Sequence, residues 1–575
     1  MTQKIWQIKP KVPADVVEKF PEIQPLVLQL LYNRGLVTTE QIEEFLNPDY
    51  TEDLHDPFLF ADALKAVKRI LAAKTKKEKV VVYGDYDADG VSASAVIISL
   101  LDQLGISNDV YIPYRDIEGY GLNEEAVRGI ATAGAKLVIT VDCGITNNNE
   151  VDILQAQGVD VIITDHHQPP PNLPRALAIL NPNVKTEKYP YQGLSGAGVA
   201  FKLVQAVLKY LKEQNDSLLP PKGWEKWLLD LVAIATISDM CPLVGENRTL
   251  VRWGTIVLQK SKRLGLQELV KLMGNDLKKL EVWSVAWQIG PRLNAAGRLN
   301  HASTAYRLLI TKDLAEAKKL ALELEETNRE RQKLTDKMAE EAKAMLGEVD
   351  DSRRILLLVK DDWPLGLVGL IAGRLSDQYN RPSLVACKNH EGNYVGSGRS
   401  ITGFNLIQAI QECSELLLHA GGHSQAAGFT VADKFKLEEF FAKLDSLTQK
   451  QIKPEQMRAV IEVEMEVGLD KIDWALWEEI SSFAPFGYAN PQPVLLARGL
   501  KIESFQTIGK DNKHLRLLVS HGSQKIHKTI GFSLAKQAAG FKVGDKVDLV
   551  FELGVNEWNG NRELQLKIVD FLASS

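Results

Sequence analysis

The chain has 575 residues, of which 45% are hydrophobic, 25% charged and 7% aromatic. These proportions exclude a largely disordered chain, and the length predicts about three to five domains. The formal net charge of −6 argues against a simple basic coat for nucleic acid but leaves room for a local basic groove. Four widely spaced cysteines without a CxxC pair exclude a disulfide framework and are typical of a reducing compartment.

The first fifty residues predict a helical N-terminal region, residues 1–50. Its start has no apolar signal segment, and the longest apolar runs, such as Leu228 to Ile237, are about half a membrane span. We therefore expect a cytoplasmic protein that does not enter a membrane.

From Lys79 onward, segments typical of strands alternate with segments typical of helices. The predicted strands are KVVVYGDYD, VYIP, KLVITVDCG and VDVIITDHH. This alternation predicts a parallel sheet with helices on both faces, which we assign to residues 51–312. Ligands of such sheets bind beyond the carboxyl ends of the strands.

The second half of the chain predicts three further parts. Residues 313–346 contain no Gly or Pro and are rich in charge, which predicts one long helix joining two lobes. A second α/β lobe is predicted at 347–452. Alternating short strands then predict a small β-barrel at 453–575.

Four clusters of acidic or imidazole side chains lie in the first α/β segment, and three of them end predicted strands. Carboxylates that crowd together repel one another unless cations neutralise them. Several carboxylates with imidazole therefore predict a site for two Mn²⁺ or Mg²⁺ ions, able to act on a phosphoryl group. The residues are Asp85, Asp87 and Asp89 in GDYDADG, Asp142 in VDCG, Asp165, His166 and His167 in TDHH, and Asp239 in ISDMCPL.

Each cluster alone has a simpler interpretation. DxDxDG also begins calcium loops, and Gly90 stands at the required sixth position, but Val96 stands at the twelfth, where a bidentate Glu is needed. A lone Asp142 is more often a helix cap, and a lone histidine pair a polar loop. The joint occurrence of all four clusters favours the metal site.

GLSGAG, residues 193–198, superficially resembles a dinucleotide-binding loop. It does not have the GxGxxG spacing and follows no convincing strand. We predict a tight loop leading into a helix from about Val199, with backbone N–H groups able to meet an anion.

The ordered motifs resemble the DHH phosphoesterase superfamily, and further segments narrow the resemblance to its RecJ group of single-strand-specific 5′→3′ exonucleases. These segments are PYRDIEGYGL, LSGAGVAFK, GPRLNAAGR, GSGRS, GGHSQAAGF, FAPFGYANPQP and NEWNG. The resemblance implies a multidomain α/β protein: a DHH domain, a long connecting helix, a DHH-associated domain and a C-terminal OB-fold barrel.

The resemblance also implies metal ligands. They are Asp87, Asp89, Asp142, His166 and Asp239, with Asp142 bridging two ions and Asp85 as a further ligand or close neighbour. More distant relatives have a histidine ligand two residues before Asp85, where this chain has Tyr83. His167 would lie near the scissile phosphate, stabilising charge or handling protons, and Asp165 would orient its neighbours.

Phosphate recognition is implied for the second lobe. Arg399 and Ser397, together with Arg115, would form a 5′-phosphate pocket, and Arg292 and His423 would lie near the phosphodiester. Simpler interpretations exist here too, since GGHSQAAGF could be a tight loop before a strand. Arg292, Arg298 and Arg399 could each lie at a solvated surface or form a structural ion pair.

OB-fold barrels bind single strands by stacking bases on aromatic rings and contacting phosphates with basic side chains. The candidates in this barrel are Phe486, Tyr488, Lys510, Lys513, His514, Arg516 and Trp558. Phe486 could instead pack within the barrel, and NEWNG could be a hairpin turn.

The function implied is two-metal-ion hydrolysis of single-stranded DNA from a free 5′ end, releasing mononucleotides in DNA recombination and repair. The implied partners are a RecQ-type helicase and single-strand-binding protein, and the implied state is a monomer. One alternative is a nanoRNase or cyclic-dinucleotide phosphodiesterase of the same superfamily, which is shorter and lacks the barrel. The other is a non-catalytic DNA-binding scaffold, a kind of relative that usually loses metal ligands.

Overall fold

The computed structural model describes residues 4–522, 526–558 and 560–574. The chain forms two compact units. The larger contains Tyr50–Pro242 and Glu246–Arg458, and the smaller contains Met1–Asp49, Leu243–Gly245 and Ala459–Ser575. Within the described ranges, no helix combines the length and apolar character needed to span a membrane.

The strands, in chain order, are β1 (Ile5–Ile8), β2 (Lys79–Gly84), β3 (Asn108–Tyr111), β4 (Ala135–Val141), β5 (Asp160–Thr164), β6 (Ala178–Leu180), β7 (Leu356–Val359), β8 (Ser383–Lys388), β9 (Tyr394–Arg399), β10 (His419–Gly422), β11 (Ala426–Val431), β12 (Val460–Val463), β13 (Met465–Glu466), β14 (Val494–Ile508), β15 (His514–Ser520), β16 (His527–Gly531), β17 (Lys546–Trp558) and β18 (Asn561–Ala573).

The α-helices are α1 (Ala14–Lys19), α2 (Pro25–Tyr32), α3 (Thr39–Leu46), α4 (Ala63–Lys76), α5 (Ala88–Leu104), α6 (Glu124–Thr132), α7 (Asn148–Ala156), α8 (Gly196–Glu213), α9 (Leu229–Ser238), α10 (Gly245–Leu258), α11 (Leu264–Leu272), α12 (Val282–Ser284), α13 (Gly290–Leu299), α14 (Ser303–Ile310), α15 (Leu314–Leu346), α16 (Leu365–Tyr379), α17 (Leu406–Gln411), α18 (Lys434–Gln451) and α19 (Trp474–Ser482). A π-helical turn, Val285–Ile289, connects α12 to α13.

The first half of the larger unit is built on a five-stranded parallel sheet of order β3-β2-β4-β5-β6. Its central strands are buried almost throughout, as expected for β-branched runs covered by helices on both faces. Because all five strands run the same way, their carboxyl ends share one edge. The predicted parallel-sheet domain is confirmed.

The second half of the larger unit is a mixed sheet of order β10-β11-β9-β8-β7, in which only β7 and β8 run parallel. The 33-residue helix α15 precedes this sheet and packs against α13 and α16. It therefore contacts elements of both lobes of the larger unit.

The smaller unit contains a closed five-stranded barrel. Strand β14 pairs with β15 through its second half and with β17 through its first half, and β16 and β18 complete the closure. Helices α1 to α3 contribute to the same hydrophobic core as the barrel strands. The predicted barrel is confirmed. Residues 1–50 contain helices α1 to α3, as expected for a helical region, together with the short strand β1, which was not predicted and pairs in parallel with β12.

Candidate active site

Three acidic residues lie directly beyond neighbouring strands of the parallel sheet. Asp85 follows β2, Asp142 follows β4 and Asp165 follows β5. Since β2, β4 and β5 are adjacent, these side chains share the carboxyl edge. Asp142 has a left-handed backbone, with φ of 60°, a conformation that Asp tolerates better than most residues. The backbone N–H of Asp142 donates to Thr164 O at 2.9 Å.

Two helix N-termini hold the next carboxylates. Asp87 caps α5 and accepts N–H groups from Asp89 and Gly90 at 2.9 and 3.0 Å. Asp89 in turn accepts N–H groups from Gly196 and Ala197, each at 2.7 Å. The charge of Asp89 is therefore met by the positive end of α8.

The GLSGAG segment differs from its prediction in one respect. Helix α8 begins at Gly196, three residues before Val199, with Ser195 as its cap. The anion that its N–H groups meet is the Asp89 carboxylate of the chain itself. A Cβ on Gly196 would lie 2.5 Å from the Asp142 Cβ, so only glycine permits this approach.

His166 connects the carboxylates of the sheet edge to Asp239, which ends α9. Its Nε2 lies 3.1 Å from Asp142 Oδ1, 3.7 Å from Asp239 Oδ2 and 3.9 Å from Asp89 Oδ2. Donor atoms of Asp85, Asp87 and Asp142 also lie within 4.8 Å of one another. The structure thus brings together all six side chains predicted as metal ligands.

Asp165 and His167 form a second arrangement beside this cluster. Asp165 Oδ1 accepts the backbone N–H groups of His166 and His167 and lies 2.8 Å from His167 Nδ1. Asp165 Oδ2 accepts the N–H of Ile145 at 3.0 Å. The Tyr120 hydroxyl also lies 2.9 Å from His167 Nδ1. Asp165 is thus occupied in orienting its neighbours.

The electrostatics separate the two arrangements. Burial, followed by the charge of neighbouring carboxylates, raises the pKa of Asp85, Asp89 and Asp142 well above the ordinary value. Burial lowers the pKa of His166 to about 4. Burial also opposes the charged form of His167, but Asp165 outweighs it and the pKa rises to about 9. At neutral pH the imidazole of His166 is therefore uncharged and its ring nitrogen can bind a metal ion, whereas the imidazole of His167 favours its protonated form.

The cluster fits divalent cations. Among the described residues, the buried Oδ1 atoms of Asp85 and Asp142 have no hydrogen-bond partner. Buried polar atoms normally have one, and crowded carboxylates need compensating charge. Neutral imidazole and carboxylate oxygens are ligands of Mn²⁺, and carboxylates alone suit Mg²⁺.

Tyr83 occupies a different environment from this cluster. Its buried hydroxyl donates to Gly121 O at 3.0 Å, and its ring stacks on Tyr111. It belongs to the hydrophobic core beside the sheet.

The predicted phosphate residues come together in the larger unit. On β9, Ser397 and Arg399 share a face, and Arg399 Nη1 donates to Ser397 Oγ at 3.0 Å. Arg115 lies over the Tyr86 ring, 5.0 Å from its centroid. Burial, and then the charge of Arg115, lowers the pKa of both Arg399 and Arg298, the latter to about 9. This group of like charges is suited to an anion.

Arg292 and His423 are placed differently. Arg292 Nε donates to Glu325 of α15 at 2.6 Å, which is the structural ion pair considered as the simpler interpretation. His423 is exposed in the turn between β10 and β11, where its N–H donates to Ala426 O.

The barrel candidates are mostly exposed. Tyr488 is 61% exposed and Lys513, Arg516 and Lys510 are also at the surface. His514 Nδ1 instead accepts the N–H of Ser533. Phe486 packs against the barrel core, as its simpler interpretation held. The Trp558 side chain lies outside the described part of the structure.

Sequence reasoning missed several residues that build the site. Asn294 Oδ1 accepts the N–H of Ala88 at 2.7 Å and so holds the GDYDADG loop from α13. Tyr120 contacts His167, and Cys241 Sγ donates to Asp239 Oδ2 at 3.4 Å. Asn294 lies in GPRLNAAGR and Tyr120 in PYRDIEGYGL, two of the segments that carry the family resemblance. The sequence therefore indicated these segments but not the roles of the two residues.

Models of three known domains match the chain in order. They are the DHH family, N-terminal domain at residues 79–236, the DHHA1 domain at 352–450 and the RecJ OB domain at 463–570. The parallel sheet with its carboxylate and histidine cluster, followed by a second α/β lobe, defines a protein of the DHH class.

Individual relatives narrow this class. The chain is 37% identical to the single-stranded-DNA-specific exonuclease RecJ of Bacillus subtilis, covering 99% of this chain and 71% of that protein. It is 30% identical to RecJ of Escherichia coli, covering 99% of both. It also matches the crystal structure of RecJ in complex with Mn²⁺ from Thermus thermophilus, with a TM-score of 0.84 at 28% identity over 99% of this chain and 80% of that one. The chain belongs to the RecJ family, which confirms the resemblance carried by its motifs.

Proposed function

We propose that this chain is a metal-dependent exonuclease specific for single-stranded DNA, which releases 5′-mononucleotides from a free 5′ end. The observation that carries the proposal is the convergence of six potential metal ligands beside the carboxyl edge of the parallel sheet. Within the described residues, one buried carboxylate oxygen on each of Asp85 and Asp142 has no hydrogen-bond partner. The named relatives are single-stranded-DNA-specific exonucleases.

We assign the metal site to the carboxylates and to His166. Two divalent cations, Mn²⁺ or Mg²⁺, would be held by Asp85, Asp87, Asp89, Asp142, His166 and Asp239, with Asp142 shared. When bound, these ions supply Lewis acidity toward phosphate oxygens and promote ionisation of a nearby water. The relatives of known structure include RecJ crystals with Mn²⁺ and with Mg²⁺.

His167 has a separate role in the proposal. Held by Asp165, which favours its protonated form, it stabilises negative charge on the reacting phosphate or moves a proton. Asp165 acts only through His167 and His166, because its oxygens already accept hydrogen bonds from Ile145 and from both histidines. Arg292 and His423 remain candidates for contacts near the phosphodiester.

Recognition of the 5′ end is assigned to Arg115, Ser397 and Arg399. A guanidinium fork suits phosphate oxygens, and Arg298 adds a further, partly buried positive charge. These positively charged side chains, held at a fixed distance from the metal site, would limit each round of hydrolysis to one nucleotide. Strand selectivity would come from a cleft too narrow for a duplex, with α15 holding its walls.

The wider role rests on the family. We propose action in DNA recombination and repair, with a RecQ-type helicase and single-strand-binding protein as partners and a monomer as the working state. The barrel would contact single-stranded DNA. A cytoplasmic location is supported by the four cysteines, all of which are buried and free.

The test is digestion of one oligonucleotide labelled at either end. With Mn²⁺, the 5′-labelled single strand is expected to yield a labelled mononucleotide at once, while the 3′-labelled strand shortens gradually. The matching duplex should resist. Preference for a dinucleotide over the long strand would instead favour a dinucleotide phosphodiesterase, and binding without hydrolysis would favour a scaffold.

A further inference from the structure

The thiol of Cys241 lies at the edge of the carboxylate and histidine cluster. Its Sγ, a ring nitrogen of His166 and a carboxylate oxygen of Asp239 lie within 4.8 Å of one another. His166 Nε2 also lies 3.1 Å from the buried Oδ1 of Asp142, but outside hydrogen-bonding geometry, and no other described residue donates to this oxygen. The Cys241 sulfur therefore lies among side chains that are themselves suited to binding a cation.

Two overlapping sets of donors result. Asp85, Asp87 and Asp142 form an all-oxygen set that suits hard ions such as Mg²⁺ and Mn²⁺. Cys241, His166 and Asp239 form a mixed set of sulfur, nitrogen and oxygen. Thiolate with imidazole favours Zn²⁺ or Cd²⁺, and three protein ligands with one open position are a known zinc arrangement.

The overlap has a consequence for the metal centre. His166 and Asp239 belong to the mixed set and also to the six side chains assigned to the two hard cations. Zn²⁺ is normally four-coordinate, whereas Mg²⁺ requires near-octahedral geometry. An ion held by Cys241 would therefore draw two side chains into an arrangement that the hard cations cannot use.

Cys143 provides an internal comparison. It follows Asp142 directly, but it is fully buried and its Sγ donates to Tyr83 O at 3.7 Å. In the described part of the chain, it belongs to none of the groups of donors that could hold a metal. Proximity to the cluster alone therefore does not make a cysteine a ligand here.

We propose that Cys241, His166 and Asp239 form a site for a thiophilic divalent cation, Zn²⁺ or Cd²⁺, which competes with the activating Mn²⁺ or Mg²⁺. On binding, the S–H bond breaks, the sulfur electron pair forms the bond to the ion, and the proton passes to solvent. The binding site stands on geometry, while the inhibitory consequence rests on the proposed exonuclease function.

The first experiment measures binding without DNA. Cd²⁺ is titrated into the metal-free full-length protein while the ultraviolet sulfur-to-cadmium charge-transfer absorption is recorded. Wild type and Cys143→Ser should show a saturable band, and both Cys241→Ser and Cys241→Ala should lose it. Bound Mn²⁺, measured by electron paramagnetic resonance, verifies that each variant retains a folded centre. A band that persists in the Cys241 variants, or that wild type lacks, would overturn the proposal.

The second experiment measures competition. Zn²⁺ is added to the Mn²⁺-dependent digestion of single-stranded DNA, and the concentration for half-inhibition should rise by about tenfold or more in Cys241→Ser, as expected for loss of one contact of about 1.4 kcal/mol or more. Equal inhibition of wild type and Cys241→Ser would refute the competition. Absence of digestion with Mn²⁺ alone would count against the exonuclease function, and the absorption experiment would still decide the Cys241 site.

Discussion

The carboxylate cluster of the larger unit and the barrel surface of the smaller unit hold their polar side chains in different ways. In the cluster, Asp87, Asp89 and Asp165 are fixed by backbone N–H groups at 2.7 to 3.0 Å. On the barrel, Tyr488 is largely exposed and the Lys513 ammonium lies 3.4 Å from Asp511. The cluster therefore fixes the geometry of its ligands, whereas the barrel surface offers area for contact. We expect the loss of a cluster ligand to abolish most of the activity, and the loss of a barrel side chain to weaken DNA binding by a small step.

The largest expected effect is that of Asp142→Asn. Asparagine keeps the size of the side chain and tolerates the left-handed backbone, but it removes a charge that the proposed cations share. We expect kcat/KM with Mn²⁺ to fall by more than about 100-fold. Substitution of residues that only hydrogen-bond to metal ligands already lowers metal affinity or activity by about 10- to 100-fold, and loss of a ligand should have a larger effect. The metal-free variant should melt no lower than the metal-free wild type, since a crowded buried carboxylate is neutralised.

Asp142→Ala supplies the matching loss of the ligand. Metal-dependent digestion that survives either substitution at the wild-type rate would contradict the site and would indicate a contaminating nuclease. Calorimetric titration with Mn²⁺ separates weakened binding from lost chemistry.

Arg399→Gln tests the phosphate site. Loss of one charge-assisted contact of about 1.5–3 kcal/mol should reduce the preference for a 5′-phosphate over a 5′-hydroxyl end by about 10- to 150-fold. The measurement is the ratio of kcat/KM for the two substrates. Arg374→Gln is the control, because Arg374 lies in the same lobe but is half exposed and paired with Asp336. An equal loss on both substrates would mean that Arg399 supports the fold instead.

Gly196→Ala tests whether the backbone holds the cluster. A Cβ at this position would lie 2.5 to 2.7 Å from Asp142 atoms, so α8 or Asp142 must shift. We expect Mn²⁺ affinity to fall about tenfold, with a loss of stability of about 1–3 kcal/mol. Gly198→Ala in the same helix is the matched control, because its Cβ would meet only contacts of 3.4 Å. Similar behaviour of the two variants would show that the approach of α8 is not critical.

The difference between the regions also explains what the sequence could predict. Asp85, Asp142 and Asp165 were predicted together because each ends a β-branched run, and parallel strands bring their ends to one edge. The contacts of Asp89 with α8 and of Asn294 with Ala88 were not predictable, because they join segments more than 100 residues apart. Strand β1 escaped notice for the same reason, since its partner β12 lies at the other end of the chain.

In the barrel, residue type suggested which side chains could contact single-stranded DNA, but only their burial in the structure shows which of them are accessible. Phe486 and Tyr488 are two residues apart in one motif, yet only Phe486 packs against the core. Tyr488→Ala should weaken binding of single-stranded DNA by about 1 kcal/mol, the lower end for a stacked base, without lowering the melting temperature. Phe486→Ala should leave the affinity for single-stranded DNA unchanged but lower the free energy of unfolding by up to about 3 kcal/mol. Fluorescence anisotropy and thermal unfolding of both variants provide the test, and a shared response would remove the distinction.

The smallest expected effect is that of Lys513→Ala. A surface lysine contributes to DNA binding chiefly through release of counterions, so its loss should weaken binding only slightly at moderate salt. The slope of log affinity against log salt should become shallower by about 0.7, the contribution of one phosphate contact on a single strand. Anisotropy titrations at several salt concentrations measure this slope. Lys343→Ala is the control, because Lys343 is also a paired lysine but lies on α15 of the larger unit and is not among the barrel candidates. If Lys513→Ala left the slope unchanged, the barrel face that carries this residue would not follow the DNA backbone. The incremental behaviour expected of the barrel would then have to come from its aromatic side chains alone.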